Sequence, residues 1–217
     1  MSPHAILFDL DGTLVDSLAD ISASMNIVLK EHGFTGHSLS DYRSFIGDGM
    51  ASLVERSLPE GSRDGQSVRA GVDRLRKVYA ARACLLTRPY EGISELLGEL
   101  TQRRIARGVL SNKPHDLTVA LVAELLGEWG MDPVLGERAE VPCKPDPTAA
   151  FEAAALLGVA PTEILFVGDT PTDMETAKRA GMRPIGVAWG FRPTSELVHA
   201  GAFAIVTHPQ QILSYLD

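Results

Sequence analysis

Asp9 and Asp11 flank a single residue at the end of a short apolar run, and Gly12 and Thr13 follow them directly. In a continuing strand, residues i and i+2 share a face. Gly12 turns the chain here, so both carboxylates can converge on the rim of a sheet. Two close carboxylates repel, and one takes up a proton unless a cation neutralises them. Mg²⁺, which accepts carboxylates, waters and a substrate phosphate, is the fitting ion. The chemistry this predicts is a metal-assisted attack on a phosphate ester. A polar turn is the plain alternative for Asp-x-Asp-Gly-Thr taken alone.

Three further segments complete that chemistry. Ser111 and Asn112 follow Gly108-Val109-Leu110. A hydroxyl with backbone N–H groups at a strand end, just before a helix, can bind phosphate oxygens. Ser-Asn is equally a helix-start signal. Lys144 stands between Cys143 and Pro145 and is one of only five lysines. An ammonium there can offset the carboxylates and hold a transferring phosphoryl group. Gly168-Asp169-Thr170-Pro171-Thr172-Asp173 follows another apolar run. Asp169 can ligate a metal and Asp173 can act as an acceptor behind it. Asp169 also suits a helix N-cap. Each segment is weak alone; their order, and the apolar runs leading into them, make the combined signal.

The elements that must position these groups alternate. Residues 4–10 read as a buried strand. Leu18, Ile21, Met25, Val28 and Leu29 recur at helical spacing, and Gly33 stops that helix. Residues 40–46, 50–58 and 67–83 read as further helices, separated by Gly47-Asp48-Gly49 and the polar stretch 59–66. Beyond Pro89 the pattern predicts helices over 93–103, 116–126, 146–157 and 173–180 and strands over 105–110, 164–167, 184–188 and 203–206. A short helix near Ser195 and a final helix finish the chain. Such alternation implies right-handed βαβ units and a parallel sheet covered on both faces. The predicted fold is therefore α/β, a Rossmann-like doubly wound parallel sheet with an inserted all-helical cap. Residues 1–15 and 86–217 form the expected catalytic core and 16–85 the cap. In such sheets ligands bind at the carboxyl ends of the strands.

The chain is long enough, at 217 residues, to bury one large core plus an insertion. A net charge of −8 argues against nucleic acid and anionic membranes as partners. It also means that a phosphate site must rely on local positive charge and metal. Cys84 and Cys143 make no disulfide framework and point to a reducing, cytoplasmic setting. Lys144 next to Cys143 suggests a lowered thiol pKa, against the plainer reading of a small strand-end residue. No apolar run reaches the roughly 18 residues of a membrane span. The six histidines are scattered singly, without metal-ligand spacing.

The residues Phe8-Asp9-Leu10-Asp11-Gly12-Thr13-Leu14-Val15-Asp16-Ser17, Ser111, Lys144-Pro145 and Gly168-Asp169-x-x-x-Asp173 resemble, in order, the four motifs of the haloacid dehalogenase superfamily. The likeness covers essentially the whole chain, including a helical cap after the first motif. Phe45-Ile46-Gly47-Asp48-Gly49-Met50, Pro89-Tyr90-Glu91-Gly92 and Leu110-Ser111-Asn112-Lys113-Pro114 are similar to the phosphoglycolate phosphatase group within it. The resemblance implies that Asp9 is a nucleophile forming an aspartyl-phosphate. It implies that Asp11 is the general acid and then the base. It assigns Mg²⁺ to the Asp9 carboxylate, the Asp11 backbone carbonyl and Asp169. It assigns the phosphoryl oxygens to Gly12, Thr13, Ser111, Asn112 and Lys144, with Asp173 behind the metal.

Asp11 argues against the dehalogenases of the superfamily, which lack it. Phosphonate-cleaving relatives need a cap lysine, and neither Lys30 nor Lys77 lies near Gly47-Asp48-Gly49 in the sequence. The expected activity is Mg-dependent hydrolysis of a small phosphorylated metabolite, 2-phosphoglycolate or a similar monoester. A sugar-phosphate mutase or pyrophosphatase on the same chemistry is one alternative, and a catalytically silent phosphate-binding module is another. Oligomeric state stays open. In the cap, the Gly47-Asp48-Gly49 loop is the expected approach to the site, with Asp48 accepting a substrate hydroxyl. Arg43 and Arg56 are candidates for a substrate carboxylate, or else lie on an exposed helix face.

Overall fold

The computed structural model describes residues 3–216. In chain order the strands are β1 (Ala5–Phe8), β2 (Val15–Asp16), β3 (Arg88–Pro89), β4 (Ala106–Pro114), β5 (Val134–Glu137), β6 (Ile164–Gly168), β7 (Arg183–Val187) and β8 (Ala204–Val206). The helices are α1 (Leu18–Glu31), α2 (Leu39–Phe45), α3 (Gly49–Ser57), α4 (Gly65–Ala80), α5 (Ile93–Gln102), α6 (His115–Leu126), α7 (Thr148–Leu157), α8 (Pro171–Ala180) and α9 (Thr194–His199).

All four residues of β1 and all five of β6 are buried, so neither strand alternates polar with apolar. That is the mark of a parallel sheet with helices on both faces. The sheet runs β5-β4-β1-β6-β7-β8, and every pairing in it is parallel. The two faces have separate cores. Ile6, Phe8, Leu165 and Val167 point into one, packed with Ile93, Leu97 and Leu121. Ala5, Leu7, Ile164 and Phe166 point into the other, packed with Ala150, Ala153 and Ala177. The chain runs from β1 outward to β5, then crosses back to β6 on the far side of β1. This reversal opens a crevice at the carboxyl ends of β1, β4 and β6, where such sheets bind ligands.

Helices α1 to α4 lie between β2 and β3 and carry a third apolar cluster of their own. It includes Ile21, Met25, Leu29, Tyr42, Leu53, Val54, Leu75 and Tyr79, joined by Leu117 and Phe191 from the sheet side. The two chain crossings into this helical unit are tied together. Strands β2 and β3 pair antiparallel, Val15 with Pro89 and Asp16 with Arg88. The buried Asp20 accepts from Leu86 N at 2.9 Å, Thr87 N at 2.8 Å and Thr87 Oγ1 at 2.7 Å.

Three features differ from the sequence expectation. Strand β4 does not stop at Leu110 but continues to Pro114, because an irregular step lets Pro114 pair again with Glu137. Strand β5 is too short and too polar at its end to show as a strand in the sequence. Helix α8 is capped by Thr170, not Asp169. No helix among the described residues is long and apolar enough to cross a membrane.

Candidate active site

Asp9 is the first residue past β1, and its N–H continues the ladder to Val167 O at 2.9 Å. Its carboxylate meets Lys144 Nζ at 2.9 Å. The same ammonium donates to Asp173 Oδ1 at 2.6 Å and to Leu110 O at 3.0 Å, so its three protons are all placed. Asp173 is fixed by local sequence. Thr170 and Asp173 form a capping box at the start of α8, with Pro171 at the first helical position. Asp173 Oδ2 thus accepts from Thr170 N at 3.0 Å and Thr170 Oγ1 at 2.6 Å.

Asp169 follows β6 and is fully buried. It accepts from Thr13 Oγ1 at 3.0 Å and from Phe191 N at 2.8 Å. Gly12, at φ +88°, and Gly190 press against it, and a Cβ at either position would overlap its carboxyl group. The cradle is therefore shaped around this one side chain.

Asp9, Asp169 and Asp173 bring carboxylate oxygens within 4.8 Å of one another, all buried. One ammonium faces these three carboxylates. Burial pushes the Asp9 carboxyl up to about 7, with Asp173 adding to the rise and Lys144 opposing it. Burial, then Asp9 and Asp173, hold Asp169 well above the usual carboxylate range. Burial opposes the charge of Lys144, but Asp173 and Asp9 outweigh it and keep the ammonium protonated. The surplus negative charge in a dry, all-oxygen pocket fits a hard divalent cation. Asp9 and Asp169 would be its carboxylate ligands: each of their oxygens accepts at most one bond from the described residues, whereas Asp173 accepts three, one of them from an ammonium.

Asp11 faces a second lysine. Lys113 Nζ lies 2.9 Å from both Asp11 oxygens and donates to Tyr79 Oη, of the helical unit, at 2.8 Å. Sequence reasoning missed Lys113 as a site residue because it ended β4 at Leu110. Once the strand runs on, Ser111 and Lys113 are an i, i+2 pair, as Asp9 and Asp11 are. That spacing was the available signal.

The remaining candidates divide. Ser111 is buried; its Oγ accepts from Lys113 N at 3.3 Å, and no described residue takes its hydroxyl proton. Gly12 and Thr13 do a different task from contacting phosphate. Their N–H groups turn inward to Val15 O and Leu10 O, and the Thr13 hydroxyl is spent on Asp169. Asn112 is a clamp: its amide reaches Lys144 O at 3.1 Å and Gly47 O at 3.2 Å, and accepts from Lys144 N at 2.8 Å.

A cavity of about 60 Å³ opens between the strand ends and the helical unit. Asp9, Asp11, Ser111 and Lys113 line its floor, and Ile21, Ile46, Met50, Leu53 and Leu75 line its wall. Gly47 and Gly49 reach it, but Asp48 does not. Asp48 binds Arg56 at 2.5 Å and accepts from Thr172 Oγ1 at 2.7 Å, which corrects its expected role on a substrate hydroxyl. Burial pushes its carboxyl up, but these two donors hold it below the usual range. Arg43 donates to Gly190 O at 3.4 Å and, like Arg56, lies outside the cavity lining. Cys143 also departs from expectation: burial, followed by Glu137, pushes its thiol up despite Lys144.

This layout has known counterparts. The family model described as haloacid dehalogenase-like hydrolase matches residues 6–187. The chain belongs to that family of hydrolases. It is 33% identical over 188 residues to a phosphoglycolate phosphatase of Aquifex aeolicus, covering 87% of this chain and 86% of the relative. It is 31% identical over 219 residues to the N-acetylmuramic acid 6-phosphate phosphatase of Pseudomonas aeruginosa, covering 100% of this chain and 96% of the relative. A predicted phosphoglycolate phosphatase from Haemophilus somnus aligns over 100% of this chain and 99% of its own, at TM-score 0.89 and 25% identity.

Proposed function

We propose that this hydrolase is a Mg²⁺-dependent phosphomonoesterase acting on a small phosphorylated metabolite through an aspartyl-phosphate on Asp9. The observation that carries this reading is the placement of Asp9. It is a buried carboxylate at a strand end, on the floor of the cavity, held at 2.9 Å by an ammonium that also pins Asp173.

In this reading Asp9 attacks phosphorus, and the covalent intermediate splits one difficult displacement into two easier ones. The free Ser111 hydroxyl holds one phosphoryl oxygen, and Lys144 turns the proton it now gives to Asp9 towards another as the Asp9 carboxylate becomes an acyl phosphate. Asp11 protonates the leaving oxygen and later takes a proton from the attacking water. Asp173 orients Lys144, and Asn112 fixes the loop that carries it. Mg²⁺ held by Asp9 and Asp169 would neutralise the carboxylates and the phosphoryl charge.

The cavity wall of Ile21, Ile46, Met50, Leu53 and Leu75 is apolar and offers no partner to the hydroxyl and amide groups of an amino sugar acid, which favours the small acid of 2-phosphoglycolate. The test is a turnover screen of 2-phosphoglycolate, N-acetylmuramic acid 6-phosphate and a generic aryl phosphate, with Mg²⁺ and with excess chelator. The expected result is Mg-dependent turnover, greatest for 2-phosphoglycolate. Undiminished turnover in chelator would remove the metal from the reading, and no turnover of any monoester would leave a phosphate-binding module instead.

A further inference from the structure

Lys144 is held behind the cavity floor by Asp9 and Asp173, and a second buried lysine, Lys113, lines the cavity itself. The Lys113 side chain is 6% exposed, and its ammonium touches Asp11 and Tyr79. Of the residues lining the cavity, it alone carries positive charge. Tyr79 accepts from Lys113, and no described residue takes its own hydroxyl proton. Burial pushes Tyr79 ionisation up to about 12, so it stays an O–H donor. A buried ammonium and an unspent hydroxyl donor therefore stand side by side, opposite an apolar wall of Ile21, Met50, Leu53 and Leu75. Paired donors of this kind recognise a compact anion. The group now held there is itself a carboxylate, that of Asp11.

We propose that Lys113 and Tyr79 form a second anion site, which takes a carboxylate carried by the leaving group of the substrate and thereby releases Asp11. This rests on the phosphomonoesterase reading above. The substrate class is then the phosphate esters of small hydroxy acids. The exchange replaces one carboxylate by another, so the buried ammonium is never left unpaired. Asp11, freed from both of its 2.9 Å contacts, can turn to the leaving oxygen. A neutral leaving group has nothing to offer Lys113 and leaves Asp11 tied. The carboxylate therefore acts on kcat as well as on KM. Arg43 and Arg56, the cationic residues that the sequence offered for this task, are engaged elsewhere.

The experiment measures kcat and KM for 2-phosphoglycolate and for ethyl phosphate, which lacks the carboxylate. It uses the full chain with Mg²⁺, as wild type, Lys113→Met, Lys113→Arg and Tyr79→Phe. Wild type is expected to prefer 2-phosphoglycolate by about 100-fold in kcat/KM, with part of the preference in kcat. Lys113→Met should cut that preference by about 30-fold, Tyr79→Phe by about threefold, and Lys113→Arg should keep more of it than Met. Tyr79→Phe removes one oxygen from a packed ring, so it carries the test even if the lysine variants fail to fold. A preference unchanged in Tyr79→Phe and in every folded lysine variant would overturn the inference. A wild type with no preference would overturn it while leaving the phosphatase reading intact. A wild type inert on both esters, and on an aryl phosphate, would sink both.

Discussion

Two buried lysines divide this molecule's chemistry between two regions. Lys144 belongs wholly to the sheet edge: its acceptors are Asp9, Asp173 and Leu110 O, all from the core. Lys113 starts from the same edge but ends on Tyr79, in the helical unit. Around Lys144 nearly every neighbour is polar, buried and hydrogen-bonded, so the geometry is over-determined. Around Lys113 the neighbours across the cavity are apolar side chains from helices α1, α3 and α4, with Ile46 just past the end of α2. A fixed charge network can serve a step common to many phosphate esters. An apolar wall with one cation chooses among leaving groups, and through Asp11 it ties that choice to the reaction. The difference between the regions is thus a division between reaction and selection.

The comparison breaks most visibly at Asp9. Asp9→Asn keeps the shape of the side chain and removes the nucleophile, so kcat should fall by about 10⁴-fold or more on every substrate. The loss should be equal for 2-phosphoglycolate and for an aryl phosphate, since both need the same attack. Stability should not fall at neutral pH, because burial already disfavours the charge that the substitution removes. Activity within tenfold of wild type would end the aspartyl-phosphate account.

The helical unit should answer differently. Gly47 and Gly49 have φ of +125° and +88°, conformations that β-branched residues resist. Gly47 also accepts from Asn112, which holds Lys144, so this loop joins the two regions. Replacing both glycines by Val should lower kcat/KM for 2-phosphoglycolate by about 30-fold and for a small aryl phosphate by about threefold. Equal losses on the two substrates would show that the loop supports the reaction and not the choice of substrate. That outcome would erase the boundary drawn here.

The same boundary marks what the sequence made legible. Asp9 and Asp169 each sit just beyond an apolar run and Asp173 lies in a helix start, and local pattern alone places such groups at a sheet edge; Lys144 ends no strand and stood out as one of five lysines, in order with the other motifs. Their convergence needs only the parallel topology. Lys113 was hidden because nothing local says that β4 continues past Leu110; the pairing of Pro114 with Glu137 decides it. Asp48 was misread for a similar reason. Its partners Arg56 and Thr172 are 8 and 124 residues away, and a loop sequence does not show which neighbour will claim a carboxylate. Thr13 looked like a phosphate contact because it follows the paired aspartates, yet burial commits its hydroxyl to Asp169. Side chains whose roles depend on long-range partners, rather than on a strand end, are the ones that sequence alone left open.

The smallest expected effect concerns charge in the metal-free core. The Asp9 carboxyl titrates near 3.8 when unperturbed and is pushed up to about 7 in the folded chain. The folded state therefore binds this proton more tightly than the unfolded state does. Stability from this group is fully present below about pH 4 and is lost as pH rises through about 7. Carboxylates held low by their donors, such as Asp64, contribute in the opposite direction but in a more acidic window. Between pH 5 and 8 the buried cluster should dominate the slope, with stability falling as pH rises. A divalent cation at Asp9 and Asp169 would neutralise the same charge, so Mg²⁺ should raise the melting temperature more at pH 8 than at pH 5. Thermal melts of the chain in chelator and in Mg²⁺ at both pH values make the measurement. An Mg²⁺ shift of equal size at both pH values would mean that the ion binds away from these carboxylates. The core would then have to tolerate its charge by protonation alone, and the sheet edge would no longer be the region that depends on metal.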